Sequence, residues 1–273
     1  MDIKHPDKKN GYKKFDLHIH STCSKHPFFG VDGMCPPKEI IKTAIKKGLN
    51  GIAVTDHDTV RGSLLTAKIV KNLNKNDNFL VIPGAELRSK QGDILAIGIT
   101  DEIKGTKKLA AVEVVEKIQD HGGLAIKAHL FKTNFFGSKL NECTKWIKRM
   151  NGTKLNGIET YNGGTSEVAN FFANCFASKH NYSKTGGSDA HILSHIGDGL
   201  TLIDSELTID AVLEAIRKKK TKVMGVRYNI SRPIKIYFYK MVQLLRRTTG
   251  RGFNHCPKKT TDLAFNIFHL ETN

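Results

Sequence analysis

Phe15-Asp16-Leu17-His18-Ile19-His20-Ser21 alternates apolar and polar residues and predicts a short strand. On a strand His18 and His20, at i and i+2, point to the same face. Two imidazoles on one face of a rigid element, flanked by Asp16, make half of a metal site. Standing alone, the stretch also fits a chance pair of histidines on a solvated edge strand. Ligand-type residues at the ends of later strands decide between the two.

Those strands follow in a regular order. Pro36-Pro37-Lys38-Glu39 opens a helix to about Lys47, closed by Gly48. Gly51 to Thr55 is an apolar run that reads as a buried strand and stops at Asp56-His57-Asp58-Thr59, before a helix from Val60 to about Asn72. Phe79 to Ile82 is a strand ended by Pro83-Gly84, then Ala85-Glu86; Asp93 to Ile99 is another apolar run, and Thr106 to Asp120 has helical periodicity. Leu124 to Ala128 is a strand with His129 at its end. Helix Leu140 to Met150, strand Gly157 to Thr160 and helix Ser166 to His180 come next. A strand near Tyr182 to Thr185 runs into Gly186-Gly187-Ser188-Asp189-Ala190-His191. Helix Leu207 to Lys219 and a strand from Lys222 to Val226 close the pattern.

Strand-then-helix units with apolar, unalternating strands argue for a parallel sheet covered by helices. About seven such units in about 225 residues suit a barrel better than an open sheet, and barrels gather chemistry at the carboxyl ends of their strands. Asp56, His57, Glu86, His129, Glu159, Asp189 and His191 all follow strands, so all are expected on one face.

The 273 residues suffice for one large domain, or one domain with an appendage. With 39% hydrophobic and 25% charged residues the chain reads as soluble and globular, and no run approaches the ~18 apolar residues of a transmembrane helix. Met1 to Lys14 is polar and lysine-rich, so no secretory signal is expected. The five cysteines, Cys23, Cys35, Cys143, Cys175 and Cys256, form no CxxC pair and read as reduced thiols of a cytoplasmic protein.

The formal net charge of +17 is unevenly spread: Ala215 to Thr261 holds fourteen Lys and Arg and no acidic residue. Such asymmetry points to an anionic partner, nucleic acid or an acidic membrane surface, or else to a solvated basic tail. Its segment Pro233 to Arg247 mixes apolar and cationic residues and reads as strand-like at its start and helical at its end.

In order along the chain, Asp16-Leu17-His18-Ile19-His20-Ser21, Thr55-Asp56-His57-Asp58, Pro83-Gly84-Ala85-Glu86, Ala128-His129 and Gly187-Ser188-Asp189-Ala190-His191 resemble the motifs of the PHP (polymerase and histidinol phosphatase) family. The resemblance runs over about residues 12 to 225. It implies a distorted (β/α)7 TIM-like barrel, two or three divalent metals, and phosphoester hydrolysis. The expected division is a barrel over residues 1–227 and a basic extension over 228–273.

Carried over by position, the resemblance implies that His18, His20 and Asp189 bind a first metal, that Glu86 bridges it to a second, and that His129 completes the second. Asp56 also counts among the implied ligands. His57 and His191 serve a third metal with His26 from the loop after the first strand, for which Asp32, in Asp32-Gly33, competes. Asp189, His191 and Glu86 are the implied catalytic residues. The chain departs from the family where Asp93 stands in place of a histidine seven residues past Glu86, either as a harder ligand or as a turn residue. It departs again at Leu130, where proline is usual after His129.

Two cations about 3.5–4 Å apart neutralise charge on attacking and leaving oxygens and acidify water. Histidine-plus-carboxylate shells suit Mn, Zn or Fe, with Mg the harder alternative. Arg61, Arg88, Lys127 and Lys132 stand near the expected face and could bind phosphate oxygens or be ordinary ion-paired side chains. Glu159 either supports a histidine from behind or caps a strand.

The function expected is a metal-dependent phosphoesterase acting on a phosphomonoester, a nucleotide or the end of an oligonucleotide. The alternative is a nucleic-acid-binding subunit with a PHP barrel and little or no catalysis. An amidohydrolase would want a metal-bridging lysine late in the barrel, against which Glu86 and the Ser188-to-His191 ending speak.

Overall fold

The computed structural model describes residues 11–25, 30, 32–73, 78–131 and 155–226. Two five-stranded sheets form its frame, with helices outside them. The first sheet has the order β10-β9-β1-β2-β3, where β1 is Lys13–Ile19, β2 Gly51–Val54, β3 Leu80–Ile82, β9 Gly199–Ile203 and β10 Thr221–Gly225. The second runs β4-β5-β6-β7-β8 in order: Gly84–Ser89, Gly92–Ile97, Leu124–Lys127, Gly157–Asn162 and Ser183–Gly187.

The all-parallel ring expected from the sequence is therefore corrected. β1, β2 and β3 pair in parallel, as do β6, β7 and β8. β4–β5, β5–β6, β1–β9 and β9–β10 are antiparallel. The cause at β4–β5 is local. Only Lys90 and Gln91 separate these strands, which leaves room for a hairpin and none for a crossover helix. Glu86 accordingly sits within β4 and not after a strand.

The two sheets do not merge into one closed ladder. They meet at two short seams. At one, His20 N donates to Ala190 O and Asp189 N to His18 O, at 2.9 and 2.8 Å. At the other, Glu86 N donates to Asp56 O and Asp58 N to Glu86 O, at 3.0 and 2.9 Å.

Period-two alternation on β1 divides the labour. Phe15 and Leu17 enter an apolar cluster with Ala53, Ile82, Leu95 and Ile126, while Asp16 and His18 face the other way and are just as buried. Helix α1, Pro37–Lys46, begins with proline at its first turn and buries Ile40, Ile41 and Ala44. Helices α2 (Arg61–Asn72), α3 (Ala111–Asp120), α4 (Glu167–Lys179) and α5 (Ile209–Arg217) follow, α4 and α5 capped by Ser166 and Thr208.

Helix Leu140 to Met150, His26, Lys132 and the basic region 228–273 lie outside the described residues. Among the described residues, no helix is long and apolar enough to cross a membrane. Cys35 and Cys175 are free thiols, but Cys23 is disulfide-bonded, so the reading of every cysteine as reduced fails there.

Candidate metal centre

Where the seams meet, β1 presents His18 and His20, β4 presents Glu86, and the turns after β2, β6 and β8 present His57, His129, Asp189 and His191. Glu86 stands at the middle. Its Oε2 lies 3.4 Å from His18 Nε2, 3.3 Å from His20 Nε2 and 3.0 Å from His57 Nδ1, and its Oε1 lies 2.9 Å from His129 Nε2. Asp189 Oδ1 adds contacts of 3.6 and 3.2 Å to the Nε2 atoms of His18 and His20. His18, His20, Glu86 and Asp189 are all buried.

Hydrogen bonding behind the rings fixes their tautomers. His18 Nδ1 donates to Glu159 Oε1 at 2.9 Å. Ser24 Oγ gives its one proton to Asp32 Oδ2 at 2.9 Å, so at 3.2 Å from His20 Nδ1 it can only accept. Both Nδ1 atoms are thus donors, and the two Nε2 lone pairs confront each other at 3.2 Å with carboxylate oxygens beside them. Such a cluster of acceptors demands positive charge at its centre, the environment a divalent cation fits. Glu86 Oε2 and His57 Nδ1 point the same way, both buried and without a hydrogen bond.

Absent a cation, a proton meets the demand. Burial disfavours the charged form of His20, yet hydrogen bonds to Asp189 and Glu86 raise its pKa from 6.5 to about 10. His18 is likewise raised by Glu159, Glu86 and Asp189 against the cost of burial. Against its own burial, Glu86 is held well below the usual carboxylate range by His18. Burial pushes His57 below its ordinary value, as suits a neutral donor ring.

Among the described residues, four groups of donor atoms lie within 4.8 Å of one another: His18–His20–Glu86, His18–His129–Asp189, His20–Asp32–His191 and Glu86–Asp93–His129. Asp32 Oδ2 lies 3.6 Å from His57 Nε2 and 3.2 Å from His191 Nε2. Two of the residues presented are backbone specialists, His129 at φ 26° and Asp189 at φ 51°, conformations that side-chain-bearing residues hold only when their surroundings enforce them.

Not every residue singled out in the sequence faces this cluster. Asp56 accepts from Ser21 N and Ser21 Oγ, both at 2.6 Å, so its oxygens are taken up in anchoring the end of β1. Arg88 is bound to Asp58, with Nε 2.7 Å from Oδ2. Lys127 is buried and donates to the carbonyls of Asp93 and Ala128, each at 2.9 Å. Half-buried Arg61 opens α2, its amide on Thr59 Oγ1. Glu159 supports the centre from behind: besides His18 it accepts from His129 N at 2.8 Å and Asn162 Nδ2 at 2.9 Å. Ser24 was not anticipated, because a hydroxyl in a polar loop carries no spacing signal.

Comparison with known proteins matches this arrangement to two family models, the PHP domain over residues 16–130 and a PHP-associated region over residues 167–221. The chain is 32% identical over 157 residues to the uncharacterized protein MJ1587 of Methanocaldococcus jannaschii, covering 55% of this chain and 81% of that protein. A stretch of 50 residues is 44% identical to a 5′-3′ exoribonuclease of Haemophilus influenzae, 18% of this chain and 16% of the enzyme. In fold it is similar to a two-domain protein from Bacteroides vulgatus that contains a predicted PHP-like metal-dependent phosphoesterase. The TM-score is 0.60 at 20% identity, covering 88% of this chain and 73% of the other. The first family model spans the strands and turns that carry His18, His20, His57, Glu86 and His129, and the chain belongs to the PHP family.

Proposed function

We propose that this protein is a metal-dependent phosphoesterase whose substrate is a phosphorylated small molecule, a nucleotide or the end of an oligonucleotide. The observation that carries the proposal is the confrontation of His18 Nε2 and His20 Nε2, 3.2 Å apart beside Glu86 and Asp189. In this reading His18, His20 and Asp189 hold one cation and Glu86 bridges it to a second held by His129 and Asp93. Asp32, His57 and His191 hold a third. Mn, Zn or Fe suits the nitrogen-rich positions, with Mg the harder alternative.

Bound divalent cations supply neutralisation of phosphoryl charge and a more acidic water. The protein supplies the rest. Glu86 aligns both halves of the centre through its two oxygens. His191 Nε2, 3.2 Å from Asp32 Oδ2 and only partly buried, is placed to hold a proton for the departing oxygen. The net charge of +17 and the short likeness to an exoribonuclease support a nucleotidic substrate, with the basic region 228–273 as the expected contact for nucleic acid.

The test is phosphate release from nucleotides and short 5′-phosphorylated oligonucleotides with Mn²⁺, in the native protein and His18→Ala. Turnover lost in the variant supports the proposal. Bound metal without turnover on any substrate of the panel overturns it in favour of a nucleic-acid-binding role.

A further inference from the structure

We propose that the centre holds two unlike cations, and that Glu86, Asp93 and His129 form the weaker, exchangeable subsite for a hard cation such as Mg²⁺ or Mn²⁺. The inference rests on the metal-dependent reading above and deepens it. Its ground is the difference between donor groups that share one carboxylate.

The group around β1 offers two imidazole nitrogens with Glu86 Oε2 and Asp189 Oδ1, every residue buried. Imidazole-rich sets favour Zn²⁺, Fe²⁺ and Mn²⁺ over Mg²⁺. The group beside it offers Glu86 Oε1, Asp93 Oδ2 and a single nitrogen, His129 Nε2, 2.9 Å from the first oxygen and 3.8 Å from the second. Two carboxylates and one imidazole form an oxygen-weighted set. The Asp93 side chain is 28% exposed, which leaves room for the waters that a hard cation keeps.

Lys127 separates the two subsites further. Its buried ammonium donates to the main-chain carbonyls of Asp93 and Ala128, the first a donor residue of this group and the second the neighbour of His129. The same carbonyl of Asp93 accepts from Ala128 N at 3.2 Å, so the lysine fastens the crossing at which both donors leave their strands. A fixed positive charge there steadies the donors and also repels a cation, since charges interact strongly where water is scarce. Three donors, partial exposure and a neighbouring ammonium all weaken this subsite relative to the buried one.

Chelator-stripped protein titrated calorimetrically with Zn²⁺ and with Mn²⁺, followed by metal analysis after dialysis, tests this. The expected result is a tight class retained through dialysis and a separate Mn²⁺ class at least about tenfold weaker and lost on dialysis. Asp93→Asn removes the weak class and leaves the tight equivalents unchanged, and Asp93→His converts the weak class to Zn²⁺ retention. Lys127→Met tightens the weak class, with circular dichroism confirming that the variant folds. A single class of equal affinities, or Asp93→Asn depleting tight and weak equivalents alike, overturns the proposal while the metal-dependent reading stands. No divalent binding at all overturns both.

Discussion

Glu159 holds His18 by the ring and His129 by the backbone: one carboxylate oxygen accepts from His18 Nδ1 at 2.9 Å and the other from His129 N at 2.8 Å. One residue that reaches no donor group itself thus sets the tautomer of one candidate ligand and the bend before another. Glu159→Gln keeps the size and loses the charge. The expected result is a 10–100-fold weaker metal affinity with little change in melting temperature of the cation-free protein, read by competition with a chromophoric chelator. Unchanged affinity would remove Glu159 from the account.

The raised pKa of His20 makes a pH signature. Its folded value of about 10 lies above its ordinary 6.5, so its stabilising contribution is full below about 6.5 and is lost as pH rises through about 10. Chelated protein is expected to melt at progressively lower temperature between pH 7 and 10, and metal-loaded protein to resist that decline. Metal uptake at pH 8 is also expected to release protons, seen as a calorimetric enthalpy that varies with the ionisation heat of the buffer. Parallel melting curves would contradict this.

Gly62 lies against the anchor of β1. A Cβ there would overlap Asp56 Oδ2 and Ser21 Oγ, both of which are packed inside. Gly62→Ala is expected to destabilise the fold by about 1–3 kcal/mol in urea unfolding, by overpacking a site that cannot give way. An unaltered midpoint would mean that Asp56 and Ser21 relax freely.

Arg88→Ala is expected to leave the KM for a phosphorylated substrate within about twofold while lowering stability by about 1 kcal/mol, because its guanidinium serves Asp58. A large rise in KM would return Arg88 to the substrate.

Much of the centre was legible because strand period and strand ends are local signals. His18 and His20 share a face because they are two apart, and Asp189 and His191 follow β8 in a Gly-Ser-Asp-Ala-His run that no helix would begin. The antiparallel β4–β5 pair was misread because a short apolar run does not reveal its direction; the two-residue connection would have done so. β9 was missed altogether, since Gly199 to Ile203 follows a turn without any change in composition. Asp56 was misassigned for a different reason. Its neighbour His57 reaches Glu86, but consecutive residues at a strand end point apart, and what lies behind Asp56 is Ser21, thirty-five positions earlier.

The two seams between the sheets are made by the backbones of the residues whose side chains compose the centre: His18, His20 and Asp189 at one, Asp56 and Glu86 at the other. The clasp of the fold and its chemical core are therefore the same object. A cation drawn among these side chains would cross-link the two halves of the molecule as a rivet joins plates, so removing it loosens architecture as well as chemistry. Drift in sequence at this place is constrained twice over, and a descendant that gave up the reaction would need another means of holding its sheets together.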